Sequence, residues 1–310
     1  MIMTEVIGTE IMSELLEENS SPQVCSIDHS SLDVTGYINA GGRGSRLKSI
    51  FDSDPDFGIA KALLEIGEPA IKLVDHHVKS MIGQAAIKNV VVGAGDLSQV
   101  AYYAENQYKD NSEVAVVNSC GFPQLGTAGD LVLAVRKEPE LFGEQILIKN
   151  VDTILDINDS QFVSFHQLAK SALTIALTRK RGVPNEDAFY LDADGKVIYC
   201  EEAHFNPLDK DSIDHLISRR GSSTGAVIVS TSFIESISWE PDDGQLSLYR
   251  DVIGEALSQG AVAGYDNNDN FFIDVGTASE WIASERLNLL QNFLCYHDGI
   301  ANISQEEISL

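Results

Sequence analysis

From Val34 onward, short apolar runs rich in valine and isoleucine alternate with longer stretches whose apolar positions recur every three or four residues. VTGYINA (34–40), KNVVVGAG (88–95), VAVVNS (114–119) and EQILIKNVD (144–152) predict buried strands. Between them, IKLVDHHVKSMI (71–82), LSQVAYYAENQY (97–108) and GTAGDLVLAVRK (126–137) predict helices. Short strands separated by helices of this length make βαβ units. The expected fold is therefore α/β, a three-layer αβα Rossmann-like arrangement around a mixed, mostly parallel central sheet. After residue 170 the rhythm loosens. SALTIALTRK and AFYLDADGKVIYC predict strands, the second folded back at Asp194-Gly195, which makes Asp192-Ala193-Asp194 a hairpin turn rather than a metal motif. SSTGAVIVS (222–230), a helix around 248–259, GAVAGYDNNDNFFIDVG (260–276) and an amphipathic helix from Ala278 to Phe293 follow. This half is expected to be partly antiparallel and lid-like.

Residues 1–33 carry seven acidic side chains and no lysine or arginine. They are read as a solvated extension that packs on the domain or on a second subunit, with a homodimer as a candidate assembly. Residues 34–297 form one expected domain and 298–310 a tail. Of the 310 residues, 44% are hydrophobic and 22% charged, enough apolar matter for a full core. The formal net charge of −26 changes the list of partners, because it repels nucleic-acid backbones and anionic membranes; neither is expected to bind. No apolar run approaches the ~18 residues a membrane span needs, and the N-terminus lacks a basic, signal-like start, so a cytoplasmic location is expected. The four cysteines are widely spaced with no CxxC pair, which predicts reduced, buried thiols. His76 and His77 lie among apolar positions of a predicted helix and are read as packing.

Candidate chemistry concentrates after the first strand, at Ala40-Gly41-Gly42-Arg43-Gly44-Ser45-Arg46-Leu47. Open α/β sheets bind ligands at the carboxyl ends of their strands. Three glycines in four positions let backbone amides approach a phosphate, and two arginines supply charge. The spacing fits neither the GxGxxG fingerprint nor the P-loop pattern.

The loop resembles the AGGxGTRL signature of sugar-phosphate nucleotidylyltransferases, with Ser45 where threonine is usual. Four further elements resemble that family in its order. They are Lys61 to Pro69 (KxxxxxxGKP, with Glu68 for the lysine), Leu125-Gly126-Thr127-Ala128-Gly129 (LGTAG), Asn150-Val151-Asp152 (NGD) and Ile273-Asp274-Val275-Gly276-Thr277 (DIGT). The resemblance implies a nucleotidyltransferase fold and a reaction in which a sugar 1-phosphate attacks the α-phosphorus of a nucleoside triphosphate and pyrophosphate leaves. By the same resemblance Arg46, Lys61 and Asp152 are catalytic. Ala40, Gly41, Gly42, Gly44, Ser45, Gly126, Thr127 and Ala128 bind nucleotide, and Asp152 and Asp274 share a Mg²⁺. Asn150, Glu201, Thr224 and Gly225 bind the sugar phosphate.

Compact length and the LGTAG element resemble the enzymes acting on mannose- or heptose-type 1-phosphates, with GTP favoured and UTP, ATP, CTP and dTTP as alternatives. One departure matters. The family has a Glu-Lys pair after the strand ending near Cys200, whereas Glu201-Glu202 stands here, placing an anion where a phosphate-binding cation is expected. Arg219 and Arg220 are expected to compensate; otherwise the acceptor is an unusual one such as a cyclitol phosphate. The acidic insertion Asp52–Asp56 is read as a cap over the triphosphate. A non-catalytic regulatory paralogue and a nucleotide-sugar-dependent glycosyltransferase remain open alternatives.

Overall fold

The computed structural model describes residues 32–44, 60–66, 70–122, 124–179, 188–203, 206–267 and 270–276. The N-terminal extension up to residue 31, Ser45 and Arg46, the Asp52–Asp56 insertion, Glu68, Lys180 and Arg181, the helix expected from Ala278 and the 298–310 tail lie outside these residues.

The expected strands form the parallel heart of the sheet: β1 (Val34–Asn39), β4 (Asn89–Gly93), β5 (Val114–Val117) and β6 (Gln145–Asn150). Two short strands, β2 (Glu65–Ile66) and β3 (Ile71–Lys72), form a separate ladder beside it. Within the main sheet β1 pairs in parallel with both β4 and β6, and β4 with β5. Their registers align Asn39 with Gly93 and Asn150, and Gly93 with Val117, so four strands end along one line. That line is the edge on which a ligand site is expected.

Beyond β6 the sheet continues through β8 (Leu173–Thr178), β9 (Ala188–Leu191), β10 (Val197–Cys200), β11 (Arg219–Ser230) and β12 (Val262–Asp266). The strand β11 runs antiparallel to β6, β8 and β9, and β10 antiparallel to β9. The mixed half is thus partly antiparallel, as expected, but it extends the same sheet, which has nine strands among the described residues. A second small ladder, β7 (Thr153–Leu155) with β13 (Phe272–Asp274), escaped the sequence reading.

Side chains alternate between two faces. Ile38, Val92, Leu147 and Ile228 point to a core covered by α1 (Leu73–Met81), α2 (Ser98–Tyr108) and α4 (Asp159–Ala169). Tyr37, Val91, Ile146, Ile148 and Val227 point to a second core covered by α3 (Gly126–Lys137), α6 (Thr231–Ser236) and α7 (Ile253–Ser258). The short α5 (Lys210–Ile213) lies between β10 and β11. The architecture is therefore a three-layer α/β fold around a mixed, mostly parallel sheet. Asp192 accepts from Asp194 N at 3.0 Å and its backbone N–H reaches Lys196 O, so the hairpin reading holds. His76 and His77 are buried on α1. Cys200 is buried as expected, but Cys120 is exposed, because it sits in the turn after β5 rather than in a strand.

Candidate active site

A cleft of about 580 Å³ opens at the carboxyl ends of β1 and β6. Gly41, Gly42 and Gly44 line one wall. Gly41 packs directly on Gly95: a Cβ added at Gly41 would lie 3.0 Å from Gly95 Cα. Asn39 donates to Thr127 O at 3.2 Å and stands 3.4 Å from Asn150 Oδ1, tying β1, α3 and β6 together at the floor.

The N-terminus of α3 forms the next wall. Gly126 has φ +89°, and a Cβ there would lie 2.5 Å from Leu246 O, so only glycine fits this turn. Thr127 Oγ1 accepts from Leu248 N at 2.9 Å. Across the cleft, β11 bulges where its register against β8 shifts between Ser223 and Val227. There Gly225, at φ +78°, approaches Asn150 and Thr153: a Cβ would lie 2.7 Å from Thr153 Oγ1.

The charged centre is built by the β7–β13 ladder. Asp274 pairs in register with Thr153, the neighbour of Asp152, and Val275 N donates to Asp152 O at 2.8 Å. A Cβ added at Gly276 would lie 2.7 Å from Asp152 Oδ2, 2.7 Å from Asp274 Oδ1 and 3.4 Å from Lys61 Nζ. Two carboxylates and one ammonium thus converge on a point that only a glycine leaves open. Lys61, 8% exposed, is ion-paired with Asp152 and reaches past Gly42 of the loop. Among the described residues no three His, Cys, Asp or Glu side chains cluster to hold a metal. Two carboxylates facing an open phosphate cleft nonetheless suit a hard divalent ion, which completes its shell with phosphate and water oxygens.

Behind the Asp152 turn, His77 of α1 faces the backbone of Val151 and Thr153. Burial, with His76 and Lys149 adding to it, holds its imidazole well below the usual range, so it stays neutral. Lys149 and Asp159 form a buried ion pair at 2.8 Å one residue before Asn150. Asp130 lines the cleft on the α3 side, and burial raises its carboxyl above the ordinary value.

No family model matches the chain. It is 24% identical over 261 residues to mannose-1-phosphate guanyltransferase of Kluyveromyces lactis, a match covering 83% of this chain and 65% of that protein. The Yarrowia lipolytica protein of the same name is 29% identical over 154 residues, 47% of this chain and 38% of that one. The chain thus spans less than two thirds of the length of the curated relatives it matches. HddC from Yersinia pseudotuberculosis superposes with a TM-score of 0.58 at 20% identity, over 82% of this chain and 99% of HddC. A putative glucose-1-phosphate thymidylyltransferase from Bacillus anthracis gives 0.61 at 17% identity, over 82% and 95%. In sequence the chain is thus similar to mannose-1-phosphate guanyltransferases, and its fold is that of the sugar-phosphate nucleotidylyltransferases.

The family's motif positions meet in one place. Gly41, Gly42, Gly44, Lys61, Gly126, Thr127, Asn150, Asp152, Gly225 and Asp274 all line the cleft. Six expected residues differ. Ala40 and Ala128 are buried, with their N–H groups bonded to Gly93 O and Leu246 O. Thr224 is fully buried and donates to Ala176 O at 3.0 Å. Glu201 turns from the cleft to Tyr190 and Lys210; the hydrogen bond from Lys210 lowers its pKa, and its neighbour Glu202 lines the cleft instead. Arg219 pairs with Asp266 at 3.2 Å and Arg220 lies over the Tyr190 ring at 5.4 Å, and neither is among the described residues of the cleft wall. Arg43, Asp96, Asp130, Ser223, Tyr249 and Arg250 line it without having been singled out as site residues. Of these, the loop position of Arg43 and the place of Ser223 in a stretch that resembles the family's acceptor-contacting strand carried a sequence signal.

Proposed function

We propose that the chain transfers a nucleoside monophosphate, with GTP the favoured donor, to a sugar 1-phosphate, giving a nucleoside diphosphate sugar. The observation that carries this reading is the convergence of Lys61, Asp152 and Asp274 beside a glycine-lined phosphate wall. An oxygen of the sugar phosphate forms a bond to the α-phosphorus while the bond from that phosphorus to the bridging oxygen breaks. The electron pair leaves with pyrophosphate. The nucleophile is already an anion at neutral pH, so no base is needed, and the task is to align two polyanions and absorb their charge.

Gly41, Gly42 and Gly44 leave room for the triphosphate against the backbone, and Lys61 stands between that wall and the carboxylates, where the α-phosphate charge would develop. Asn150 and Gly225 shape the acceptor side. Asp152 and Asp274 would hold the divalent ion, which when bound neutralises phosphate charge and orients the donor. Guanine as the base is supported by the likeness to mannose-1-phosphate guanyltransferases and to HddC, also solved with GMP-PN.

The test is pyrophosphate release from each of the five triphosphates with a panel of sugar 1-phosphates and Mg²⁺. GTP with mannose 1-phosphate or a heptose 1-phosphate is expected to be fastest, and excess EDTA to abolish release. Binding of a nucleotide sugar without release from any pair would point to a non-catalytic paralogue.

A further inference from the structure

The cleft must admit two polyanions, yet Asp96, Asp130, Asp152, Asp274 and Glu202 all line it. Of the cations on its described walls, Arg43 is ion-paired with Asp96 and Lys61 with Asp152. The third is Arg250. It makes a long ion pair with Asp251, 3.6 Å from Nε and beyond hydrogen-bond range, and Nε is shut off from solvent with no hydrogen-bond partner. A shielded guanidinium N–H without an acceptor costs stability unless a ligand completes it.

The backbone under Arg250 is built rather than loose. Leu248–Val252 is a π-helical turn, a feature common at functional sites. Leu248 N is held by Thr127 Oγ1 at 2.9 Å, Arg250 N by Ser247 Oγ at 3.2 Å, and Ser247 N by Asp251 Oδ2 at 2.7 Å. The next side chain back, Tyr249, shares a 2.8 Å hydrogen bond with Ser223 Oγ, which itself accepts from Gly225 N at 3.1 Å. The turn is therefore tied to the bulge of β11, on the acceptor side of the cleft.

We infer that Arg250 binds the phosphate of the acceptor, offering its guanidinium fork to a phosphate monoester dianion and offsetting the carboxylate of Glu202. A planar fork can grip two phosphate oxygens at once, which a lysine cannot. The inference rests on the transfer reading above and adds the residue that fixes the acceptor's charged end.

Steady-state kinetics of wild type, Arg250→Gln, Arg250→Lys and Arg219→Ala test it, with the best donor and acceptor from the panel. Arg250→Gln should raise the acceptor KM about tenfold or more while the donor KM changes less than about twofold, the loss expected of one charge-assisted contact. Arg250→Lys should recover part of the loss, and Arg219→Ala should behave as wild type. An unchanged acceptor KM in Arg250→Gln, or a rise confined to the donor KM, overturns the inference. If the wild type releases no pyrophosphate from any pair, the transfer reading itself fails. Calorimetric titration with mannose 1-phosphate then decides the role of Arg250: binding lost in Arg250→Gln sustains it, and equal binding or none overturns it.

Discussion

Asp152 and Asp274 stand 122 positions apart in the chain, and a single glycine marks the point where they meet. Asp152→Asn keeps the shape and removes the charge. It should lower turnover by about 100-fold or more, because a lost clamp on transition-state charge is worth several kcal/mol. The melting temperature should stay within a few degrees of wild type. Gly276→Ala tests the same point by volume, since its methyl would come 2.7 Å from both carboxylate oxygens. The Mg²⁺ concentration giving half-maximal activity should rise about tenfold, and an unchanged magnesium dependence would show that the two carboxylates do not act together. At this scale the motif residues were legible, because loop and turn glycines sit beside charged residues in recognisable order. The acceptor cation was not. Arg220 lies five residues from Gly225 along an extended strand, roughly 16 Å at the usual rise, which carries it away from the cleft. Arg250 is brought in by a turn whose side-chain directions no linear pattern reveals.

The strands β1, β4, β5 and β6 and the helices α1, α2 and α3 were legible as elements because each is long enough to show its period. The β7–β13 ladder was not. Three residues per strand give no alternation to read, yet this ladder brings the two carboxylates together. The helix α4 was equally hidden: Asn158, Asp159 and Ser160 open it, and its inward side includes Ser164 and His166. Its N-terminal Asp159 reaches back to Lys149 of β6, with both side chains at most 5% exposed. Asp159→Ala leaves a buried ammonium without its partner and should cost about 3–5 kcal/mol in urea unfolding. A cost below about 1 kcal/mol would mean that this pair does not anchor the Asn150–Asp152 turn.

At the scale of the whole molecule, the net charge of −26 makes the cations on the described cleft walls decisive for anionic ligands. Burial lowers His166 to about 4, while Thr174 and Gln145 hold its two ring nitrogens. Its unfolded counterpart titrates near 6.5, so on acidification the unfolded chain takes the proton first. This histidine therefore removes stability as pH falls from about 6.5 to about 4, at up to about 1.4 kcal/mol per pH unit, and buried His77 acts in the same direction. Urea midpoints at pH 7 and pH 5 should show the loss, and His166→Gln should show a smaller one; equal losses would assign the acid response to other groups. The proposed joining of a nucleotide to a sugar phosphate at Lys61, Asp152 and Asp274 is tested most directly by ³¹P NMR of the protein with GTP, mannose 1-phosphate and Mg²⁺. Equal growth of a nucleoside diphosphate sugar and pyrophosphate is expected, slowed about 100-fold or more with Asp152→Asn. Release of GDP and inorganic phosphate, or equal product formation by the variant, would contradict it.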